Sequence, residues 1–215
     1  MWYVYPGSKK DIIKSGEIMM SRKASVQRKT KETDIILTLD LDGKGEYDIN
    51  TGIPFFDHML SLFAKQSFFD ISLKAEGDIE VDFHHTVEDV GIILGQGLKE
   101  ALGNKEGIQR YGLAMIPMDE TLARVVIDIC SRAVLVFKVP SNECYYGAGF
   151  DLSITEEFFK ALTTNSLITL HINLLYGKNL HHIIEAIFKA FGRALYQACR
   201  IDPNIEGVLS TKGQL

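Results

Sequence analysis

The sequence predicts an α+β fold of two duplicated half-domains, each a roughly four-stranded sheet with two helices on one face. Three observations carry this. Offsetting the chain against itself by 97 residues lays His84, His85 and Glu88 on His181, His182 and Glu185. Each half holds stretches in which apolar residues alternate, the mark of strands half-buried in a sheet. Each half also closes on a long amphipathic stretch with apolar residues at helical spacing, Ile92, Ile93 and Leu98 in one and Ile183, Ile187 and Leu195 in the other. Strands followed by helices, rather than strict alternation of the two, place the fold in the α+β class.

The repeat extends beyond the histidines. Gly95 falls on Gly192, Leu98 on Leu195 and Ala101 on Ala198, and upstream Ile71 falls on Ile168 and Leu73 on Leu170. Two copies make a duplicated unit rather than a solenoid. We divide the chain into an N-terminal extension (1–20), a first half-repeat (21–110), a second (111–203) and a polar tail (204–215), forming one compact unit.

Within each half, "TDIILTLDLDGKGEYDIN" and "LARVVIDICSRAVLVFKV" read as hairpins, with Asp42-Gly43 as the turn of the first. Helices follow at "PFFDHMLSLFAKQ" and "TEEFFKALTTN", the second entered by Thr155 with Glu157 behind it as a cap. "FDISLKAEG" and "LITLHINLLYG" alternate and are strands, and the His-His-x-x-Glu helices complete the halves. Residues 1–20 are mixed in character and receive no functional assignment.

Bulk composition excludes several classes of function. With 46% hydrophobic and 24% charged residues, the 215-residue chain can bury a real core. A net charge of −5 gives no general attraction to nucleic acid or anionic membranes, so any anion site is local and the expected ligand is small. No apolar run reaches the length of a membrane helix. Cys130, Cys144 and Cys199 are odd in number and widely spaced, which argues against a disulfide framework or a zinc ribbon and for the reduced cytoplasm.

The chemical signal lies in the six histidines, His58, His84, His85, His171, His181 and His182. A lone histidine is most often a surface or satisfied core residue. A duplicated His-His-x-x-Glu is different. At about 100° per residue, adjacent histidines on a helix diverge, and a glutamate three or four positions on projects between them. Six imidazoles with Glu88 and Glu185 divide into two sites of three His and one Glu, each leaving positions open on an octahedral ion, as catalysis requires. Mn, Fe, Co, Ni and Zn all suit such donors. Because a splayed doublet cannot wrap one ion, each helix is expected to serve both sites, with ligands from a neighbouring subunit.

"TGIPFFDHML", "DFHHTVEDVGIILGQGL", "IPMDETLARVVIDI", "NLHHIIEAIFKAFGRAL" and the terminal "STKG" together resemble the imidazoleglycerol-phosphate dehydratase family, from about Arg22 to Gly213. The resemblance implies a fold like domain 2 of ribosomal protein S5. It implies two manganese ions per active site, held by His58, His84, His85, Glu88, His171, His181, His182 and Glu185. It also implies an assembly of twenty-four subunits with sites between protomers, and the dehydration of imidazole glycerol phosphate to imidazole acetol phosphate in histidine biosynthesis. The hydrogen removed is not acidic, so an electron sink is needed. Metal at both ring nitrogens would hold an imidazolate and permit a diazafulvene-like intermediate.

By the same resemblance, Glu32 in "RKTKET" is the acid/base candidate, and Arg110, Arg132, Lys189, Ser210 and Lys212 receive the phosphate. Lys189 also follows Glu185 by one helical turn. Asp119 and Glu120 in "PMDE" are weaker candidates, expected to orient ligands or shape the site. The chain departs from the family pattern at Leu62 and Gln66, one turn apart, which leaves the substrate contacts of that helix open apart from His58. Two other readings fit the donors: a dinuclear metallohydrolase, and an oligomeric metal-storage protein that would have no use for the cationic set.

Overall fold

The computed structural model describes residues 22–140 and 150–215. The extension 1–20 and Cys144 lie outside the described residues. The first half runs β1 (Lys23–Lys29), β2 (Thr33–Asp40), β3 (Tyr47–Asn50), α1 (Pro54–Ser67), β4 (Asp70–Gly77) and α2 (His84–Leu102). The second repeats it as β5 (Tyr111–Met118), β6 (Thr121–Asp128), β7 (Val134–Lys138), α3 (Leu152–Ser166), β8 (Thr169–Tyr176) and α4 (Leu180–Cys199). The sheets are ordered β1-β2-β4-β3 and β5-β6-β8-β7, with β3 and β7 parallel to β4 and β8 and the other pairings antiparallel. This is the α+β fold of duplicated halves that the sequence predicts.

The expected hairpins are corrected. β2 does not pair with β3, nor β6 with β7, because β4 and β8 are inserted between them. Alternation records which residues face the core but not which strand lies alongside. The tight hairpins are β1–β2 and β5–β6, whose first strands the pattern did not reveal. The "PMDE" stretch is the second of these turns, with Asp119 at φ 46°. Asp42-Gly43 instead begins the crossing from β2 to β3, held where Asp70 accepts the backbone N–H groups of Lys44 and Glu46, both at 2.8 Å.

The second helix also starts earlier than expected. Asp151 is its N-cap, accepting from the backbone N–H groups of Ser153 and Ile154 at 2.8 and 3.1 Å. A short carboxylate satisfies two otherwise orphaned donors, so Thr155 is drawn into the helix and buried, its hydroxyl donating to Asp151 O.

The strand correspondence shifts by two residues. α1 and α3 both end on a non-glycine residue in the left-handed region, Phe68 (φ 59°) and Leu167 (φ 57°), which are 99 apart. Ile71 pairs with Leu39, and Leu170 pairs with Ile127, so Ile71 corresponds to Leu170 rather than Ile168. A bulge adds one residue to β8 and the loop before α2 is three residues longer than its counterpart, which together restore the offset of 97 at the histidines. A shift of two preserves the buried face, and so the simpler match reads correctly for burial.

The helices lie on the inner faces of the two sheets and pack across the halves, α1 on α4 and α2 on α3. One continuous core results, in which Phe56, Phe63, Phe158, Phe159, Phe188 and Phe191 are almost wholly buried. The repeated glycines mark the crossings. A Cβ on Gly95 would lie 2.5 Å from Leu162 O of α3, and one on Gly192 2.9 Å from Phe63 O of α1. α1 carries His58 and α4 carries His181 and Glu185, so this close approach also sets the spacing of functional side chains. Among the described residues, no helix is long and apolar enough to cross a membrane.

Candidate metal and substrate site

The same device begins both histidine helices. Asp82 accepts the backbone N–H of His84 at 2.8 Å, and Asn179, 97 residues later, accepts that of His181 at 2.9 Å. Each doublet therefore occupies a first helical turn, and Asn179 also accepts the His182 backbone N–H at 3.3 Å. The predicted splay is present in both. His84 and His85 have ring planes at 88° and centroids 6.2 Å apart, and His181 and His182 have planes at 82° with the same separation.

The tightest cluster joins His58, His181 and Glu185, whose donor atoms all lie within 4.8 Å of one another. Glu185 Oε2 is 3.1 Å from His181 Nε2 and 3.6 Å from His58 Nε2. The carboxylate is buried, yet Lys189 one turn on forms an ion pair with its other oxygen. Burial alone would raise its pKa, but the hydrogen bond and charge of Lys189, with lesser help from His181 and His58, hold it below the usual glutamate value. Two imidazole nitrogens and one ionised oxygen converging at these separations suit a first-row transition ion, so the residues present fit a metal.

The other half is arranged more openly. His84 Nε2 and Glu88 Oε2 are 3.7 Å apart, and α3 supplies no histidine to complete them as α1 does at the first cluster. The second histidine of each doublet turns away to a carboxylate outside the expected ligand set. His85 Nδ1 lies 2.9 Å from Asp78 Oδ2, and His182 Nδ1 lies 2.7 Å from Glu120 Oε2. Hydrogen bonding to Asp78 raises the His85 pKa, and hydrogen bonding to Glu120 raises that of His182. Glu120 is held far below the ordinary carboxylate range, first by the Asn179 backbone N–H and then by His182. Glu32, in the β1–β2 turn, reaches only to 3.9 Å from His85 Nδ1. Asp119 Oδ2 lies 3.8 Å from His182 Nε2.

His171 stands apart. It lies on β8 in register with Val126 and Val136, between the buried Leu170 and Ile172, so its side chain faces the outer side of the second sheet. Its own chain's donor clusters lie on the other side.

Four of the five phosphate candidates share one cleft of about 860 Å³, lined by Arg110, Tyr111, Arg132, Ser210 and Lys212. Arg110 donates to Asp128 at 2.7 Å and to Leu209 O at 2.7 Å, which ties the tail to β6. Lys189 lies elsewhere, on α4, between Glu185 and Met118 Sδ. Leu62 packs on the core, and Gln66 places its Cβ against the α1–α4 crossing at Gly192.

The model of the imidazoleglycerol-phosphate dehydratase family matches residues 51–195. The chain belongs to this family. It is 56% identical over 196 residues to the imidazoleglycerol-phosphate dehydratase of Geobacter metallireducens, covering 91% of this chain and all of that one. Identity to the enzyme of Oceanobacillus iheyensis is 57% over 194 residues, covering 90% and 100%. The crystal structure of the Staphylococcus aureus dehydratase superposes with a TM-score of 0.75 at 42% identity, over 84% of this chain and 99% of that one. That of Pyrococcus furiosus, in complex with (S)-C348, gives 0.77 at 38% identity, over 88% and 100%. As a member of the dehydratase family, the chain is an enzyme of the hydro-lyase class. Sequence reasoning did not single out Asp78, Asp82 or Asn179; the available signal was an Asp or Asn two residues before each doublet.

Proposed function

We propose that this enzyme dehydrates imidazole glycerol phosphate to imidazole acetol phosphate in the cytoplasm, as a step of histidine biosynthesis, using two manganese ions per site. The observation that carries the reading is the convergence of His58, His181 and Glu185 in a chain of this family. His58, His181 and Glu185 would hold one such group. His84 and Glu88 begin another, while His85, His182 and His171 present donors toward neighbouring copies. When bound, the ions would supply Lewis acidity at both ring nitrogens, the sink that removal of a non-acidic hydrogen requires.

The protein's own groups perform the remaining work. Arg110, Arg132, Ser210 and Lys212 receive the phosphate, and Arg110 is already oriented by Asp128. With the ring so polarised, its electrons would expel the neighbouring hydroxyl, which takes up a proton and leaves as water. Glu32 then accepts the adjacent carbon-bound proton, and the resulting enol becomes the ketone. Glu32 suits this because its carboxylate, 56% exposed, is not committed to a hydrogen bond with His85.

A homo-oligomer, of twenty-four subunits by family resemblance, completes the site. His171 faces away from its own chain's clusters, on a sheet surface where Tyr111, Leu113, Met115 and Val134 are about half exposed. Apolar patches of this kind mark interfaces. The corresponding face of the first sheet is mostly polar, with Lys23, Ser25, Thr38, Asp40, Ser72 and Lys74 around a half-exposed Ile36.

The test is a product assay on manganese-loaded protein with imidazole glycerol phosphate, following ketone and free phosphate together. Ketone without phosphate, lost in His84→Ala and His181→Ala, is expected. Phosphate release would favour a metallohydrolase, and neither product from assembled, loaded protein would favour storage. Glu32→Gln should retain manganese and lower kcat by about 10²–10⁴-fold.

A further inference from the structure

The duplicated halves hold Glu32 and Glu120 in the same place. Each is the last residue of the turn joining the first two strands of its half, and each precedes a buried threonine, Thr33 or Thr121, that opens the next strand. Each also approaches the second histidine of its doublet. Their circumstances then diverge. Glu120 Oε1 accepts the backbone N–H groups of Asn179 at 2.9 Å and Lys178 at 3.2 Å, as well as the Thr121 hydroxyl at 3.2 Å. Its Oε2 accepts from His182 Nδ1 at 2.7 Å. Both oxygens are thus committed, and they tie the β5–β6 turn to the start of α4. Glu32 stays at 3.9 Å from His85, because Asp78 has taken that role in the first half, at 2.9 Å. Asp78 follows Gly77, which lies opposite Thr33; a bulge in the second half brings Gly177 to the same place beside Thr121, and the residue after it is Lys178, which offers no carboxylate.

We propose that Asp78 and Glu120 are positioning residues that hold the Nδ1–H of His85 and His182, so that each imidazole presents only Nε2 as a donor. By this division the second-half turn serves orientation while Glu32, its first-half counterpart, remains available for proton transfer. The inference rests on the metal reading of the doublets. A carboxylate behind a ligating imidazole fixes its tautomer and ring angle and strengthens it as a donor, and loss of such a partner typically weakens metal affinity by about 10–100-fold.

The chemistry of the two sites predicts different tolerances. Asp78 Oδ1 is buried without a hydrogen-bond partner among the described residues, so an asparagine can keep its oxygen on His85 and place its amide nitrogen there. Glu120 has acceptors in use at both ends. A glutamine must present its NH₂ either to the backbone donors or to His182 Nδ1, which loses the turn anchor or reverses the tautomer.

The experiment is manganese titration of the assembled, metal-stripped protein, read by the electron paramagnetic resonance of free Mn²⁺, with thermal unfolding of each metal-free variant alongside. Wild type should bind, and His181→Ala should bind less. Asp78→Ala, Glu120→Ala and Glu120→Gln should each weaken binding by about 10–100-fold while Asp78→Asn stays within about threefold of wild type. Wild-type affinity in Glu120→Ala and Asp78→Ala, even with lowered unfolding temperatures, would overturn the proposal and leave the metal reading intact. Absence of manganese binding by wild type would overturn both.

Discussion

The α1–α4 crossing at Gly192 couples stability to the donor cluster, and Gly192→Ala tests that coupling. The added Cβ would lie 2.9 Å from Phe63 O, 3.0 Å from Gln66 Cβ and 3.2 Å from Ser67 N, all on α1 and two of them backbone. Relief requires the helices to part by several tenths of an ångström. Overpacking of this kind costs about 1–3 kcal/mol. Replacing glycine with alanine inside a helix returns roughly 1 kcal/mol. The net expectation is destabilisation by about 1 kcal/mol. Gly97→Ala is the control, because its new Cβ would meet Leu37 Cδ2 at 2.8 Å, the end of a side chain that can turn aside. There the helical gain should offset most of the strain. Urea unfolding of metal-free protein at one fixed concentration measures both, since oligomer stability varies with concentration. Moving α1 also moves His58 relative to His181 and Glu185, so Gly192→Ala should bind manganese more weakly, with Gly97→Ala unchanged. A Gly192→Ala protein as stable as the Gly97→Ala protein, with wild-type manganese affinity, would refute the reasoning.

Asp151→Ala removes the α3 cap and should cost about 1 kcal/mol near neutral pH. Burial raises the Asp151 carboxyl pKa, but hydrogen bonds from Ser153 and Ile154 outweigh it, and the folded value lies below 3.8. The unfolded chain therefore takes up the proton first. The cap's charge-dependent stabilisation is complete above the unfolded value and fades as pH falls through the folded one, so urea unfolding near pH 3 should show a smaller deficit than near pH 6. Leu113→Asp, on the apolar outer face of the second sheet, should yield smaller assemblies by light scattering with reduced turnover, whereas Thr38→Asp on the polar face should leave size unchanged; equal sizes would remove that face from the interface. Truncation after Leu209 removes Ser210 and Lys212 from the cleft and should mainly raise KM, and unaltered steady-state kinetics would exclude the tail from substrate binding.

Local pattern made much of the site legible. The His-His-x-x-Glu doublets, their splay and the pairing of Lys189 with Glu185 follow from helical geometry and a repeat visible in the sequence. The hairpin assignments failed because β4 and β8 reach their places only through crossings that span α1 and α3. Thr155 is not the cap because Asp151, four residues earlier, takes the N–H groups of Ser153 and Ile154 and starts the helix a turn sooner, leaving Thr155 inside it.

By itself, the sequence determined the duplicated α+β architecture, the buried face of each strand and the donor types, because periodicity and residue chemistry are local properties of the chain. Only the tertiary structure decided which donors meet. His58 joins His181 and Glu185 across the halves because glycine lets α1 and α4 approach closely, and His171 turns to the outer sheet face because of its register on β8. Tertiary structure also separated Glu32 from Glu120, alike as turn glutamates and distinct only in the partners that folding brings to them.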